Sequence, residues 1–300
     1  MKKLMPNKEE SSSLRVVAFW PSSPSVIEEE DWKILKDRFH FLKIEEEGLV
    51  HGPASKLPYL AMDDLLQARR FLMHFNSDET DLLWAVRGGY GILRWAGMVV
   101  DQLVKRERYP VVLGFSDVSL IHILLFNANI PSIHGPMINT LKDTSDESLE
   151  ALSSVLKGGT FPSLKGKRLI GGRASGRLLP VNLSCLVSSI GTRLQPHFQR
   201  QDVILAIEDH REPLYRIDRM LTQLLETGIL EEVSGIAVGE ILLSDNGNAP
   251  LLETLLVDRL SRLRCPVVYG LPFGHGLSNM PLLQGGSYEL DGESGWLTMP

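Results

Sequence analysis

A nucleophilic serine needs a base to take its proton, a carboxylate to orient that base, and N–H donors to receive the oxyanion. Gly114-Phe115-Ser116-Asp117 stands where an apolar strand runs into an apolar, helix-like segment over residues 118–128. A serine on such a turn projects its hydroxyl from the end of a sheet. The helix N-terminus behind it offers free N–H groups and a positive dipole end. The same Ser-Asp pair also fits a plain helix cap. Of the eight histidines, two are candidates for the base. His275 stands between Gly274 and Gly276 just past a strand, a setting open to close approach by a ligand. His134, between Ile133 and Gly135, is the second candidate. His40, His51, His74, His197 and His210 read as ordinary polar or helix-surface residues, and His122 as packed on the helix after Ser116.

For the carboxylate, Glu208 and Asp209 end an apolar strand. Asp209 suits a cap or turn. A glutamate at the end of a buried strand needs a partner for its charge. Arg87-Gly88-Gly89-Tyr90-Gly91 is neither a P-loop nor a dinucleotide fingerprint. Its backbone N–H groups can still serve an oxyanion or carboxylate, or the segment is only a tight connection. No His-Glu-x-x-His occurs, and no histidine has a glutamate three residues on, so the sequence offers no zinc-peptidase pair.

The elements that must hold these residues alternate. Residues 14–20, 82–86 and 111–115 read as strands, and 26–39, 59–75 and 118–128 as helices. That alternation predicts an α/β fold with a parallel sheet. The pattern weakens over residues 142–176, where Gly158-Gly159 and Gly171-Gly172 are loop chemistry. It restarts with strands over 203–207, 235–241 and 266–271, helices over 217–225 and 251–263, and a closing hairpin over 288–298. The expected organisation is an N-terminal nucleophile-bearing domain over 14–150, a linker over 151–175 and a C-terminal domain over 176–300. Ligand sites in open α/β sheets lie at the carboxyl ends of strands, where every candidate above is found.

Bulk properties narrow the classes. The chain has 300 residues, 43% hydrophobic and 23% charged, with net charge −6 and no long basic run, which argues against nucleic acid as a partner. Two distant cysteines, Cys185 and Cys265, argue against a disulfide framework. Residues 1–13 are polar without an apolar signal core, and no apolar run reaches transmembrane length, so a cytoplasmic protein without membrane association is expected.

The ordered set of segments resembles the LD-carboxypeptidase family of serine peptidases (family S66), the muramoyltetrapeptide carboxypeptidases. It comprises Pro21-Ser22-Ser23-Pro24, Tyr59-Leu60-Ala61, Ala85-Val86 with the Gly88 segment, Gly114-Phe115-Ser116-Asp117, and His134-Gly135-Pro136-Met137. Ile207-Glu208-Asp209, Tyr215-Arg216-Ile217-Asp218-Arg219 and Gly274-His275-Gly276 follow. The resemblance implies a parallel-sheet N-terminal domain, a C-terminal β/α domain and an active site in the cleft between them. It implies a Ser116–His275–Glu208 triad, with Asp209 the weaker alternative to Glu208. The backbone N–H of Asp117 and one from Gly88 or Gly89 would form the oxyanion hole. It implies a murein peptide substrate losing its terminal D-alanine during cell-wall recycling, no cofactor or metal, and a homodimer. Arg87 and Arg216 are candidates for the substrate carboxylate. A branch of the same family confers immunity to microcin C-type antibiotics by cleaving an aminoacyl-nucleotide amide. Tyr90 and Trp20 are the aromatics that could stack on a nucleobase there. A non-catalytic binder of wall fragments is the third alternative. Two departures stand out: Phe19-Trp20 before Pro21 where relatives have a small residue, and Pro180-Val181 before Asn182 where they have two glycines. The second puts substrate fit in question if that turn borders the site.

Overall fold

The computed structural model describes residues 13–46, 55–103, 105–198 and 202–300. His51 and residues 1–12 lie outside the described residues. Strands β1 (Leu14–Phe19), β2 (Leu42–Glu46), β3 (Leu82–Ala85), β4 (Val111–Gly114) and β5 (Ser132–His134) pair in parallel in the order β5-β4-β3-β1-β2. Helices α1 (Glu29–Arg38), α2 (Asp64–Phe75), α3 (Ile92–Val99) and α4 (Ser119–Asn127) connect them. β3 and β4 are buried at every position, as strands covered on both faces must be.

After α5 (Asp146–Leu156), β6 (Leu164–Lys165) and β7 (Lys167–Ile170) join opposite edges of a second sheet. The stretch 151–175 thus contains the end of a helix and two paired strands, besides its glycine loops. The second sheet continues with β8 (Arg173–Asn182), α6 (Leu183–Ser189), β9 (Val203–Glu212), α7 (Leu214–Glu226), β10 (Gly235–Leu243), α8 (Leu252–Leu260) and β11 (Val267–Tyr269). Its four central strands, β8 to β11, are parallel. β12 (Leu282–Gln284) crosses back to pair antiparallel with β5 of the first sheet. β13 (Ser287–Asp291) and β14 (Trp296–Thr298) form the expected hairpin. The fold is α/β with two sheets.

Two consequences position the site. Parallel neighbours share direction, so the loops after β1, β3 and β4 meet at one edge, and so do the segments after β8, β9 and β11. Helix α4 is buried all along Ser119–Phe126, because it packs against β8 and α6 as well as its own sheet. A helix apolar all round belongs in a core. One hydrophobic cluster runs from Leu120 and Leu124 on α4 to Leu179, Val181 and Leu205 in the second sheet. Each such side chain contributes about 1.5–3 kcal/mol on burial. Ser116 and the second half of the chain are therefore joined through the helix that the serine precedes.

Both departures from the family pattern fall in packed structure. Pro180 and Val181 are not a turn: they pair with Ala206 and Ile207 inside the β8–β9 ladder, and Val181 is in the core. Trp20 is 2% exposed, and its indole N–H donates to the Ser25 carbonyl.

Candidate active site

Ser116 has φ +60°, one of three non-glycine residues at positive φ among the described residues. That conformation costs on the order of 1 kcal/mol or more for a side-chain-bearing residue and persists only where the surroundings enforce it. Phe115 before it is extended, and a short 3-10 turn over Ser116–Val118 leads into α4. The chain thus bends sharply at the serine, as a strand-to-helix nucleophile turn requires. The Gly88 backbone lies against it. A Cβ at Gly88 would stand 3.0 Å from Ser116 Cβ and 3.1 Å from its Oγ.

The Asp117 side chain does not cap the helix that follows it. Its Oδ2 accepts from Ser22 Oγ at 2.6 Å and from the Ile92 backbone N–H at 3.1 Å. One buried carboxylate therefore gathers the loop after β1, the start of α3 and the serine turn. Burial pushes its pKa up to about 6, against both hydrogen bonds. Ser23 secures the glycine loop from the same side: its N–H donates to the Gly88 carbonyl at 3.4 Å, and its Oγ accepts from Tyr90 N–H at 3.2 Å. The N–H groups of Gly88 and Gly89 meet no acceptor among the described residues. Asp117 N–H lies in the first turn of its helical segment, where donors have no intrahelical partner.

The second half supplies the other groups through strand alternation. Residues two apart on a strand share a face. On β9, Glu208 and His210 point to one side and both meet His275. Glu208 Oε2 lies 2.6 Å from His275 Nδ1. The His210 ring stacks on the His275 ring, with centroids 4.7 Å apart and planes 9° apart. Phe115 also flanks His275, at 4.7 Å between centroids. Asp209 does not bond His275: it accepts from Ser184 N–H at 2.9 Å and Ser184 Oγ at 2.8 Å, and it too lines the cavity shared by Ser116 and His275. The two carboxylates that the sequence left adjacent thus take different partners, Glu208 the His275 ring and Asp209 the Ser184 turn. Burial, then the neighbouring Glu208, push Asp209 up to about 6. For His275 burial works against the charged ring, but the charge and hydrogen bond of Glu208 outweigh it, and the net shift is upward. Gly274, at φ +118°, lets this segment lie on Glu208, since a Cβ there would come within 2.8 Å of Glu208 Cβ.

Asn182 joins the halves. Its N–H donates to Ser119 Oγ at 2.8 Å. Its Nδ2 lies 3.2 Å from Glu208 Oε1 and 3.3 Å from Asp209 Oδ1. Its Oδ1 caps α6 through Cys185 N–H at 3.1 Å. A cavity of about 270 Å³ is lined from the first half by Gly89, Tyr90, Ser116 and Asp117 and from the second by Asn182, Cys185, His210 and His275. Ser116 and His275 thus face one space.

Other candidates fall outside it. His134 is fully buried beneath Phe115, with neither ring nitrogen hydrogen-bonded, and burial drives its pKa well down. His122 is packed, held between the Gly114 carbonyl at 2.9 Å and Ser132 Oγ at 2.8 Å. Arg87 reaches the Pro24 carbonyl, and Arg216 pairs with Glu212 at 3.1 Å; neither lines the cavity, although Glu212 does. The sequence reading missed Ser22, Asn182, Cys185 and His210. Asn182 was within reach, because an Asn just before an apolar helical run signals an N-cap. His210, taken as an ordinary surface histidine, is in fact stacked on His275. Among the described residues no cluster of three or more His, Cys, Asp or Glu could hold a metal ion, and no helix is long and apolar enough to cross a membrane.

Residues 17–135 match the LD-carboxypeptidase N-terminal domain, and residues 175–290 match the LD-carboxypeptidase C-terminal domain. A Synechocystis protein described as "Putative carboxypeptidase" is 40% identical over 254 residues, covering 82% of each chain. The murein tetrapeptide carboxypeptidase of Pseudomonas aeruginosa is 30% identical over 231 residues, covering 73% of this chain and 75% of that one. The crystal structure of muramoyltetrapeptide carboxypeptidase from Oxalobacter formigenes superposes with a TM-score of 0.76 at 25% identity, covering 94% of this chain and 97% of that one. The microcin C7 self-immunity protein MccF shares the fold, with a TM-score of 0.79 at 15% identity over 96% of each chain. The chain belongs to the LD-carboxypeptidase family.

Proposed function

We propose that this LD-carboxypeptidase family member is a serine carboxypeptidase that releases the terminal D-alanine of murein tetrapeptides. The observation that carries the reading is the shared cavity. Ser116, on a backbone turn at φ +60°, and His275, bonded through Nδ1 to buried Glu208, line it together. In this mechanism the Nδ1–H of His275 donates to Glu208, which leaves Nε2 as the proton acceptor. His275 takes the Ser116 proton as Oγ attacks the carbonyl of the L-centre before D-alanine. The N–H groups of Asp117 and of Gly88 or Gly89 receive the oxyanion. Protonated His275 then gives its proton to the departing amine of D-alanine. Water, deprotonated by the same imidazole, resolves the acyl-enzyme.

The cavity size supports removal of an end group. At about 270 Å³ it lies at the lower edge of ligand sites, which run about 300–1,000 Å³. A space of this size is compatible with a chain terminus. The P. aeruginosa relative's name, murein tetrapeptide carboxypeptidase, supports the substrate class. The proposal includes a role in cell-wall recycling, a cytoplasmic setting and a homodimer; light scattering of the purified protein checks the last.

One observation keeps a second reading in view. Tyr90 lines the cavity and is 46% exposed, with the Tyr59 ring 6.0 Å from it, so an aromatic surface is available to a nucleobase. Buried Trp20 offers none. The deciding experiment incubates the protein with a murein tetrapeptide and, separately, with an aminoacyl sulfamoyl-adenylate. D-alanine release lost in Ser116→Ala supports the carboxypeptidase. Nucleotide release alone selects the immunity-type hydrolase, and binding without turnover selects a wall-fragment binder.

A further inference from the structure

His275 has to keep one ring nitrogen on Glu208 while the other works in the cavity. The Glu208 bond alone does not fix the ring plane, since an imidazole can pivot about a single hydrogen bond. The plane is set by what lies against the ring. His210 is stacked face to face on it at 4.7 Å and 9°, and Phe115 flanks it at 4.7 Å with planes 58° apart.

Among the described residues the His210 ring nitrogens have no hydrogen-bond partner, so the ring's contact with His275 is its stacking face. Strand alternation puts His210 on the Glu208 face of β9, and the ladder is irregular on either side of it. The β9–β10 register shifts between Val238 and Ile241 and again between Leu242 and Leu243, and Arg211 beside His210 has φ +63°. Bulges of this kind re-aim side chains next to active sites. The parallel stack of two basic rings is compatible with a charged His275 only while His210 stays neutral. Burial, then the neighbouring His275 and Arg211, push His210 down to about 4.

Resting on the proposed serine-hydrolase reading, we propose that His210 is a positioning residue that holds the His275 imidazole in its working plane by stacking on it as a flat ring. An aromatic contact of this type is worth about 0.5–1.5 kcal/mol beyond burial, which converts to roughly a two- to tenfold effect on rate. His210→Ala in the full chain should therefore lower kcat about two- to tenfold with KM within twofold. His210→Phe keeps a flat ring and should restore kcat to within about twofold of the parent. Equal loss in His210→Phe and His210→Ala would overturn the proposal, because the imidazole nitrogens would then be what matters. So would an unchanged kcat in His210→Ala.

A second readout does not depend on turnover. In ¹H–¹³C spectra with ring-labelled histidine, the Hε1 signal of His275 is identified by its loss in His275→Ala. A stacked neighbour shifts it by ring current. The signal should move toward the free-imidazole position in His210→Ala and return toward the parent position in His210→Phe. An unmoved signal in a folded His210→Ala protein overturns the stacking role even if the peptide proves to be the wrong substrate. Absence of D-alanine release by the parent protein overturns the functional reading instead, and leaves the spectral test decisive for His210.

Discussion

Ser116 is held by backbone, at φ +60° over a buried carboxylate that gathers Ser22 and Ile92, with the Gly88 backbone against it. His275 is held by side chains, with Glu208 at one nitrogen and His210 and Phe115 against the ring. The contrast implies different weaknesses. The serine half breaks when atoms are added to a crowded turn. The histidine half breaks when a side chain is removed, because each contact there is a separate group.

Apart from removal of the Ser116 hydroxyl itself, the largest expected effects are on the histidine half. His275→Ala should lower kcat/KM by roughly 10⁴-fold with little change in fold, measured by D-alanine release and by thermal unfolding. Glu208→Gln keeps the size but loses the charge, and should cost about 10²–10⁴-fold. Its pH profile sharpens the point. Burial alone would lower the His275 pKa, and Glu208 reverses that, so the acid limb of kcat/KM should have its midpoint above the ordinary 6.5. Activity is then lost as pH falls through that midpoint and His275 takes up a proton. In Glu208→Gln the midpoint should move down; an unmoved midpoint contradicts the pairing.

On the serine half, Gly88→Ala places a methyl 3.0–3.1 Å from the Ser116 side chain. A displacement of that kind at a nucleophile costs on the order of 10–10²-fold in kcat. Wild-type activity in Gly88→Ala would show that the turn has room to spare.

Asp117 gives a smaller, pH-dependent effect. Its folded pKa of about 6 lies above the ordinary 3.8, so near neutral pH its native charge is held at a cost. As pH falls through about 6 toward 3.8 the native state takes up a proton before the unfolded state does. The parent should therefore gain stability relative to Asp117→Asn over that window, with a constant difference above it. Urea unfolding at pH 4.5, 5.5 and 7.5 measures this. The smallest effect concerns Cys185, which lines the same cavity. Burial, then Asp117, Asp209 and Glu208, hold its thiol well above the ordinary range. Iodoacetamide at pH 8 should alkylate it far more slowly than a free thiol, and Cys185→Ser should retain activity.

The serine turn was legible because strand, Gly-x-Ser-Asp and apolar helix are local in the chain. Glu208 and Asp209 were not separable in the sequence, because which of them meets His275 depends on how the segment at Gly274 lies on β9. His210 was illegible for the same reason. Its stacking partner comes from a segment 65 residues further along the chain. α4 read as apolar, but that it lies between two sheets depends on packing that no local pattern records. β12 was missed because two leucines and a glutamine carry no period, and its partner β5 is about 150 residues away. Pro180-Val181 read as a stiffened turn because it stands where the family pattern has two glycines, whereas the β8–β9 ladder takes it as strand.

The central claim is that Ser116 is the nucleophile of a D-alanine-releasing hydrolase. The most direct measurement is D-alanine released from a murein tetrapeptide by the parent protein and by folded Ser116→Ala at equal concentration. The account predicts one D-alanine per peptide from the parent and a rate lower by roughly 10⁴-fold or more from Ser116→Ala. Release by Ser116→Ala at the parent rate would contradict it.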